Sequence, residues 1–367
     1  MERFCRFEAE GIAVTVDLRV GHIREFSIEQ NGRTIRPLHI APWVDDDGTA
    51  RDEDIPANVR WLSGDFFCAP FSASDLEPGP PHGWPANSEW DHLSTGRGGD
   101  TVTARFALKR DILGARLEKH FTLRDGHAFL YERHIFIGGE GRIPVANHAM
   151  TRFGPAGGRL SFSPKAWGET PPKPLEGDPD RGRSALAYPA RFEELTALPR
   201  ADGRLVDLRE YPPAERHEEF VMLVERPGNA LGWAAAVRRD AGEIFLSLKN
   251  PAELPVTMLW FSNAGRDYAP WNGRHVGVLG IEEGRSFGGA GHRGSIAENP
   301  LSRAGIPTAL DLVPGGSVSV RNVIGGVALP EGWRSVEAVE PTGTGLRLVS
   351  DAGNSVEIPC DTGFLRG

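Results

Sequence analysis

The sequence predicts an all-β protein built as a large antiparallel β-sandwich. Three observations carry this. Short segments of period-two alternation recur along the chain, each bounded by turn residues. Helical periodicity is nearly absent. The 45 glycines and 29 prolines are scattered, which suits many strands joined by turns.

Taken in order, residues 12–18 (IAVTVDL) alternate strictly between flanking glycines. Residues 101–109 and 115–123 flank Asp111 and Gly114, as a hairpin would. Alternating or apolar runs follow at 128–137, 219–225, 231–237, 242–250, 256–262, 275–282 and 316–324. The best helical candidate, residues 190–198 (ARFEELTAL), is short. Residues 41–60 and 154–185, rich in charge, proline and glycine, read as long loops. After residues 329–333 come two last strands, GLRLVS and SVEIPC, joined around Gly353. The expected organisation is one domain over residues 1–367, with 328–367 as a C-terminal strand extension.

Composition narrows the function. A hydrophobic fraction of 40% in 367 residues is ample for a core. The formal charge of −9, with no basic stripe, argues against nucleic acid and anionic membranes as partners. Cys5, Cys68 and Cys360 have no zinc spacing, and their odd number makes no disulfide framework. A reducing, cytoplasmic setting is the expectation. The first residues, MERFCRFEAEG, lack the apolar core of a signal peptide. No apolar run approaches about 18 residues.

Asp45, Asp47 and Gly48 echo part of a calcium loop, but Trp43 and Arg51 occupy ligand positions. His82, Asp91 and His92 match no standard metal spacing. No glycine-rich loop links a strand to a helix in the manner of a phosphate cradle. We therefore expect neither metal nor cofactor.

Three places combine titratable residues with strand context. The first is PPHGWPANSEWDH, residues 80–92, where Pro80 and Pro81 stiffen the approach to His82 and Gly83 lets the backbone turn. The second is Asn147-His148 on an alternating strand. The third is Glu282, at the end of the nearly apolar RHVGVLGIE. A carboxylate in a poorly solvated cleft has a raised pKa and becomes a better proton acceptor. A slip of one residue would put Glu283 in its place. Trp84, Trp90 and Trp271 offer flat faces for the C–H side of a sugar, and Asn87 a polar contact beside them.

In order and context these residues resemble the galactose mutarotase (aldose 1-epimerase) family. The His82-Gly83 loop is followed by Trp90. Asn147-His148 lies on a central strand. Gly280-Ile281-Glu282 closes a strand, and Leu312, Pro314 and Gly315 form a turn before a closing strand. The N-terminal GIAVTVDLRVGHIREFSI is similar to the family's opening hairpin, and the resemblance covers roughly residues 8–325.

The resemblance implies the β-supersandwich with a sugar cleft on a concave face, and cofactor-free interconversion of sugar anomers. It assigns Glu282 as base, His148 as acid, and His82 as a second donor near the ring oxygen. It also implies sugar contacts from Asn147, and from His217, Glu218 or Glu219 in place of a family aspartate.

The chain departs from the family pattern at two arginines. Ser72, Ser74 and Asp75 stand where an Asn-Arg pair is common, and Ala86 stands where an arginine follows His-Gly. These absences speak against a sugar phosphate. They leave two alternatives to the epimerase. One is a carbohydrate-binding protein without turnover. The other is a glycoside hydrolase or lyase pairing Glu282 with Glu89 or Asp91.

Overall fold

Strand alternation places two different chemistries on the two faces of one sheet. The computed structural model describes residues 3–178 and 181–367. Its centre is an antiparallel sheet of seven strands. In spatial order these are Ala190–Phe192, Lys165–Thr170, His217–Glu225, Val256–Asn263, Val278–Arg285, Val145–Arg152 and Phe67–Cys68. A nine-stranded antiparallel sheet packs on one face, running from Glu210–Tyr211 at one edge to Trp90–Gly98 at the other. An N-terminal four-stranded sheet, Phe4–Ala9 through Arg33–Ile35, packs Phe7 against Phe106 and Phe121. A C-terminal sheet of Val336–Pro341, Gly345–Ser350 and Ser355–Pro359 adds Val336, Leu346 and Leu348 to the same apolar core.

The central strands are buried on both faces, and their residues sort by period two. Leu259, Phe261, Leu279, Ile281, Val145 and Ala149 point into the core between the sheets. Val256, Met258, Trp260, Ala146 and Met150 point the other way, into a second cluster roofed by Trp43, Leu62, Phe66, Phe71 and Trp271. That second face carries the cleft. His148 pairs with Glu282 across the strands, as Asn147 does with Glu283.

Several expectations need correction. Residues 190–198 form no helix. Ala190–Phe192 is an edge strand paired to Lys165–Thr170, because Phe192 is wanted in the core and helical hydrogen bonds would leave that edge open. Residues 41–60 fold into two short helices, Asp47–Arg51 and Ala57–Arg60, and residues 154–185 contribute the strands Gly158–Phe162 and Lys165–Thr170. In the acidic run, Asp45 pairs with Arg24 and Asp46 with Arg274. Among the described residues no group of three or more His, Cys, Asp or Glu is placed to hold a metal ion. No described helix is long and apolar enough to cross a membrane.

A buried ionic network ties the two large sheets together. Lys249, in the nine-stranded sheet, puts Nζ 2.6 Å from Glu283 Oε2 and 3.3 Å from Glu225 Oε1. It also donates to the Val256 carbonyl at 2.7 Å and to Thr257 Oγ1 at 2.8 Å. Lys165 completes the network through Glu225. Burial alone would favour a protonated Glu225, but the two lysines outweigh it and bring the carboxyl down to about 2. Removing one partner of a buried ion pair leaves an uncompensated charge and typically costs about 3–5 kcal/mol. Lys249→Met should therefore lower unfolding stability by that order in urea titrations. A loss below about 1 kcal/mol would mean that the network contributes little to joining the sheets.

Candidate functional site

The cleft is a cavity of about 210 Å³ on the outer face of the seven-stranded sheet. His82, His148 and Glu282 meet on its wall, together with Trp260, Arg266 and Trp271. The three residues that chemistry singled out in the sequence thus converge, although they come from a loop and two strands.

Strand register brings His148 and Glu282 together. They are directly paired across neighbouring strands, and His148 Nε2 lies 3.1 Å from Glu282 Oε1. Gly280 leaves the space that this needs. A Cβ there would sit 3.0 Å from Glu282 Oε1 and 3.3 Å from His148 Cε1. Phe66 stacks on the His148 ring at 4.4 Å and 20°, and His22 stacks on the far side of Phe66 at 4.4 Å and 17°. Both nitrogens of His22 face carbonyls, Trp61 O at 3.1 Å and Ala86 O at 3.0 Å. The stack and its anchors fix the imidazole plane.

His82 arrives by a strained loop. Its φ is 63°, a left-handed value that is uncommon for a residue with a Cβ. Its N–H donates to Ser72 O at 2.7 Å, and the next residue, Gly83, bridges Ala69. Gly83 also has a positive φ of 73°, and a Cβ there would lie 2.0 Å from the Ala69 carbonyl oxygen. The position therefore demands glycine on both conformational and steric grounds. Nδ1 of His82 sits 3.3 Å from Cys68 Sγ. The His82 and His148 rings meet edge to face at 5.3 Å.

Burial governs the charges. It lowers His82 to about 4 and pushes His148 well below 6.5. It raises Glu282 well above 4.5. The site therefore favours a neutral carboxyl beside neutral imidazoles, a pair holding one proton between Glu282 and His148. Glu282 Oε2 and His148 Nδ1 are buried and have no protein partner.

The other sequence candidates divide. Trp271 lines the cleft. Glu283 faces the other way, into the Lys249 network, so register selects Glu282. Asn147 points between the sheets, away from the cleft, where its amide has no protein partner. Asn87 is a loop staple. Its Nδ2 donates to Pro81 O and Gly83 O, and its Oδ1 accepts from Asn58 N. Trp84 lies under Arg110, whose Cζ is 4.2 Å from the ring centroid, and borders a different cavity. Trp90 is core, with Nε1 donating to Pro85 O at 3.0 Å. His217 bonds the Glu215 carbonyl and borders a separate cavity beside Tyr211. Glu89 and Asp91 are exposed partners of Lys109, so neither forms a carboxylate pair with Glu282.

Sequence reasoning missed Phe66, Cys68, Trp260 and Arg266. Arg266 is the guanidinium that the two departed arginine positions lacked. Its Cζ stands 4.6 Å over the Trp271 ring, and Nη1 is 3.5 Å from Glu218 Oε1. Glu218 also accepts from Trp260 Nε1 at 2.8 Å and Ser262 Oγ at 3.0 Å. Arg266 lies in an irregular loop with no periodic signal. Of the three neighbours His217, Glu218 and Glu219 that the sequence offered, Glu218 is the one that meets Arg266.

His22 and His82 are both held near 4 by burial, against an ordinary 6.5. Their pKa values are lower in the folded state, so the unfolded chain binds more protons between these limits. The stability they contribute is complete above about pH 6.5 and is lost as pH falls toward about 4, at about 1.4 kcal/mol per unit per histidine. Urea midpoints measured from pH 7.5 downward should fall through this window. His22→Phe should reduce the slope, and a flat profile would contradict the assignment.

No protein-family model and no curated protein match the sequence. Solved structures do. An Escherichia coli K12 protein provisionally named an aldose 1-epimerase superposes with a TM-score of 0.59 at 15% identity, covering 89% of this chain and 99% of that one. A galactose mutarotase related enzyme from Lactobacillus acidophilus gives 0.54 at 11% identity, covering 89% and 98%. A galactose mutarotase-like protein from Clostridium acetobutylicum gives 0.53 at 12%, covering 88% and 94%. The chain has the galactose mutarotase-like, all-β sandwich fold.

Proposed function

We propose that this protein interconverts the anomers of a sugar by acid–base ring opening in the His82–His148–Glu282 cleft. The observation that carries the reading is the contact between the His148 imidazole and the Glu282 carboxyl, 3.1 Å apart in a buried site. Anomer exchange needs a proton taken from the C1 hydroxyl and another given to the ring oxygen. It involves no net gain or loss of protons. A one-proton pair supplies both roles.

With the proton on His148, the Glu282 carboxylate accepts the C1 hydroxyl proton while the imidazolium protonates the ring oxygen. The C1–O5 bond breaks and an aldehyde forms. The pair is left as neutral carboxyl and neutral imidazole, the form that burial favours. After the aldehyde rotates, the new C5 hydroxyl returns its proton to His148 and attacks the carbonyl carbon. Glu282 protonates the carbonyl oxygen, and the ion pair is restored. The ion pair from which ring opening starts is therefore the less populated form, reached by transfer of the Glu282 proton to His148 across their 3.1 Å contact. His82 aids at the ring oxygen. With the Cys68 thiol donating to Nδ1, His82 would carry its own hydrogen on Nε2 as the donor for this role. Trp260 and Trp271 supply apolar faces for the sugar C–H groups, and Arg266 a donor for hydroxyls.

Glu282→Gln keeps the shape but removes the proton acceptor, so anomer exchange followed by NMR should fall by about 10²–10⁴-fold. Sugar binding should persist, because the amide oxygen still accepts from the C1 hydroxyl. The wild-type pH profile should be bell-shaped. Its acid limb belongs to His148, below the ordinary 6.5, and its alkaline limb to Glu282, above the ordinary 4.5. Full activity in Glu282→Gln, or a wild type that binds aldoses without accelerating exchange, would remove the mechanism.

A further inference from the structure

The cleft does not end at the sugar-sized cavity. A second cavity of about 370 Å³ adjoins it across Phe220 and Gly289, which wall both. The strand order explains the continuity. From Glu282 the sheet floor passes to Trp260, then Phe220, then Glu169, and reaches Arg191 on the edge strand. Neighbouring strands lie about 4.8 Å apart and Phe220 is level with Gly280, two residues from Glu282, so Glu282 and Phe220 are separated by about 12 Å of floor. One pyranose ring with its hydroxyls fills that span. Whatever occupies the second cavity then lies beyond the ring edge remote from C1.

The second cavity is larger than the first, and its lining mixes apolar faces with a carboxylate and a guanidinium. Met222, Phe287 and Pro172 provide apolar surface. No hydrogen bond or ion pair among the described residues engages the Glu169 carboxylate. Arg191, on the paired edge strand beside Glu169, lies over the Trp167 ring with Cζ 4.4 Å from its centroid. A carboxylate, a guanidinium and aromatic faces in one groove match the demands of a polyhydroxylated ring.

We infer that this groove is a second sugar subsite, and that the preferred ligand is a reducing oligosaccharide linked through a hydroxyl of its reducing unit remote from C1. The inference rests on the reading of the cleft as a sugar site. Only the reducing unit meets His148 and Glu282, and the next unit lies over Phe220 toward Glu169 and Arg191.

The test pairs each disaccharide with its own reducing-end sugar: maltose, cellobiose and lactose with glucose, mannobiose with mannose, and xylobiose with xylose. Binding is measured by calorimetry on the Glu282→Gln protein, so that turnover plays no part. At least one disaccharide should bind about tenfold or more tightly than its monosaccharide. Ala290→Trp and Ala190→Trp, two separately placed fillings of the second cavity at positions that are not buried, should each bring that ratio near one. The inference is overturned if no disaccharide gains over its monosaccharide, or if the gain survives both fillings. A gain in binding with no anomer exchange by the wild-type protein would instead sink the acid–base reading and leave the subsite in place.

Discussion

Glu282 and Glu283 leave one strand in opposite directions, and the architecture depends on that strand keeping its register. Glu283 enters the Lys249 network that joins the sheets, while Glu282 enters the cleft beside His148. A slip by one residue would put Glu283 in the cleft and Gly284 toward Lys249, or Glu282 toward Lys249 and Ile281 in the cleft. The first leaves Lys249 with Glu225 alone, which is costly in a dry interior, and the second removes the carboxyl from the cleft. The ionic network therefore holds the sheets together and also fixes which glutamate is available for chemistry. Asn147 and His148 repeat the logic on the neighbouring strand.

Dryness is the second constraint, and it acts on protons more than on shape. Among the described residues the only ion-pair partner of Glu282 is the imidazole of His148, and burial sets its protonation. The same burial depresses His148 and His82. The His22–Phe66–His148 stack excludes water from one side of the pair and orients the ring. Opposed shifts in neighbouring groups are the usual mark of an acid–base site, though structural networks can produce them too. Glu225 illustrates the structural kind. Two lysines hold its carboxyl low, and it is not among the residues that line the cleft.

Much of the fold was legible because alternation is a local signal. Ile12–Asp17, Thr101–Leu108 and Ala115–Arg124 fall where the pattern put them. ARFEELTAL misled because its helical propensity is local, whereas the edge pairing of Ala190–Phe192 is a tertiary demand. In the site, His82, His148 and Glu282 were legible because each stands in an unusual setting of prolines, alternation or apolar strand. The tryptophans were not. Trp84 and Trp90 look like sugar platforms in sequence, yet one lies under Arg110 and the other fills the core. A large aromatic residue gives no sequence sign of which face it will meet. Arg266 and Phe66 were invisible for the same reason, since long-range packing alone brings them to the cleft.

Arg266 bears on what the cleft would accept. The two expected arginines are absent, but a guanidinium is present, wedged over Trp271 and near Glu218 and Glu176. Burial raises Glu218 to about 7, with Arg266 and the donors from Trp260 and Ser262 opposing it. The arginine's charge is thus shared with nearby carboxyl groups rather than presented to an incoming anion. A phosphate would have to compete with them for one guanidinium, in a cleft whose histidines burial keeps uncharged. A neutral polyol asks less, because its hydroxyls can use the guanidinium N–H groups and the imidazoles without bringing charge into a dry site. The electrostatics of the cleft therefore suit a neutral polyol better than an anion, as the proposed function requires.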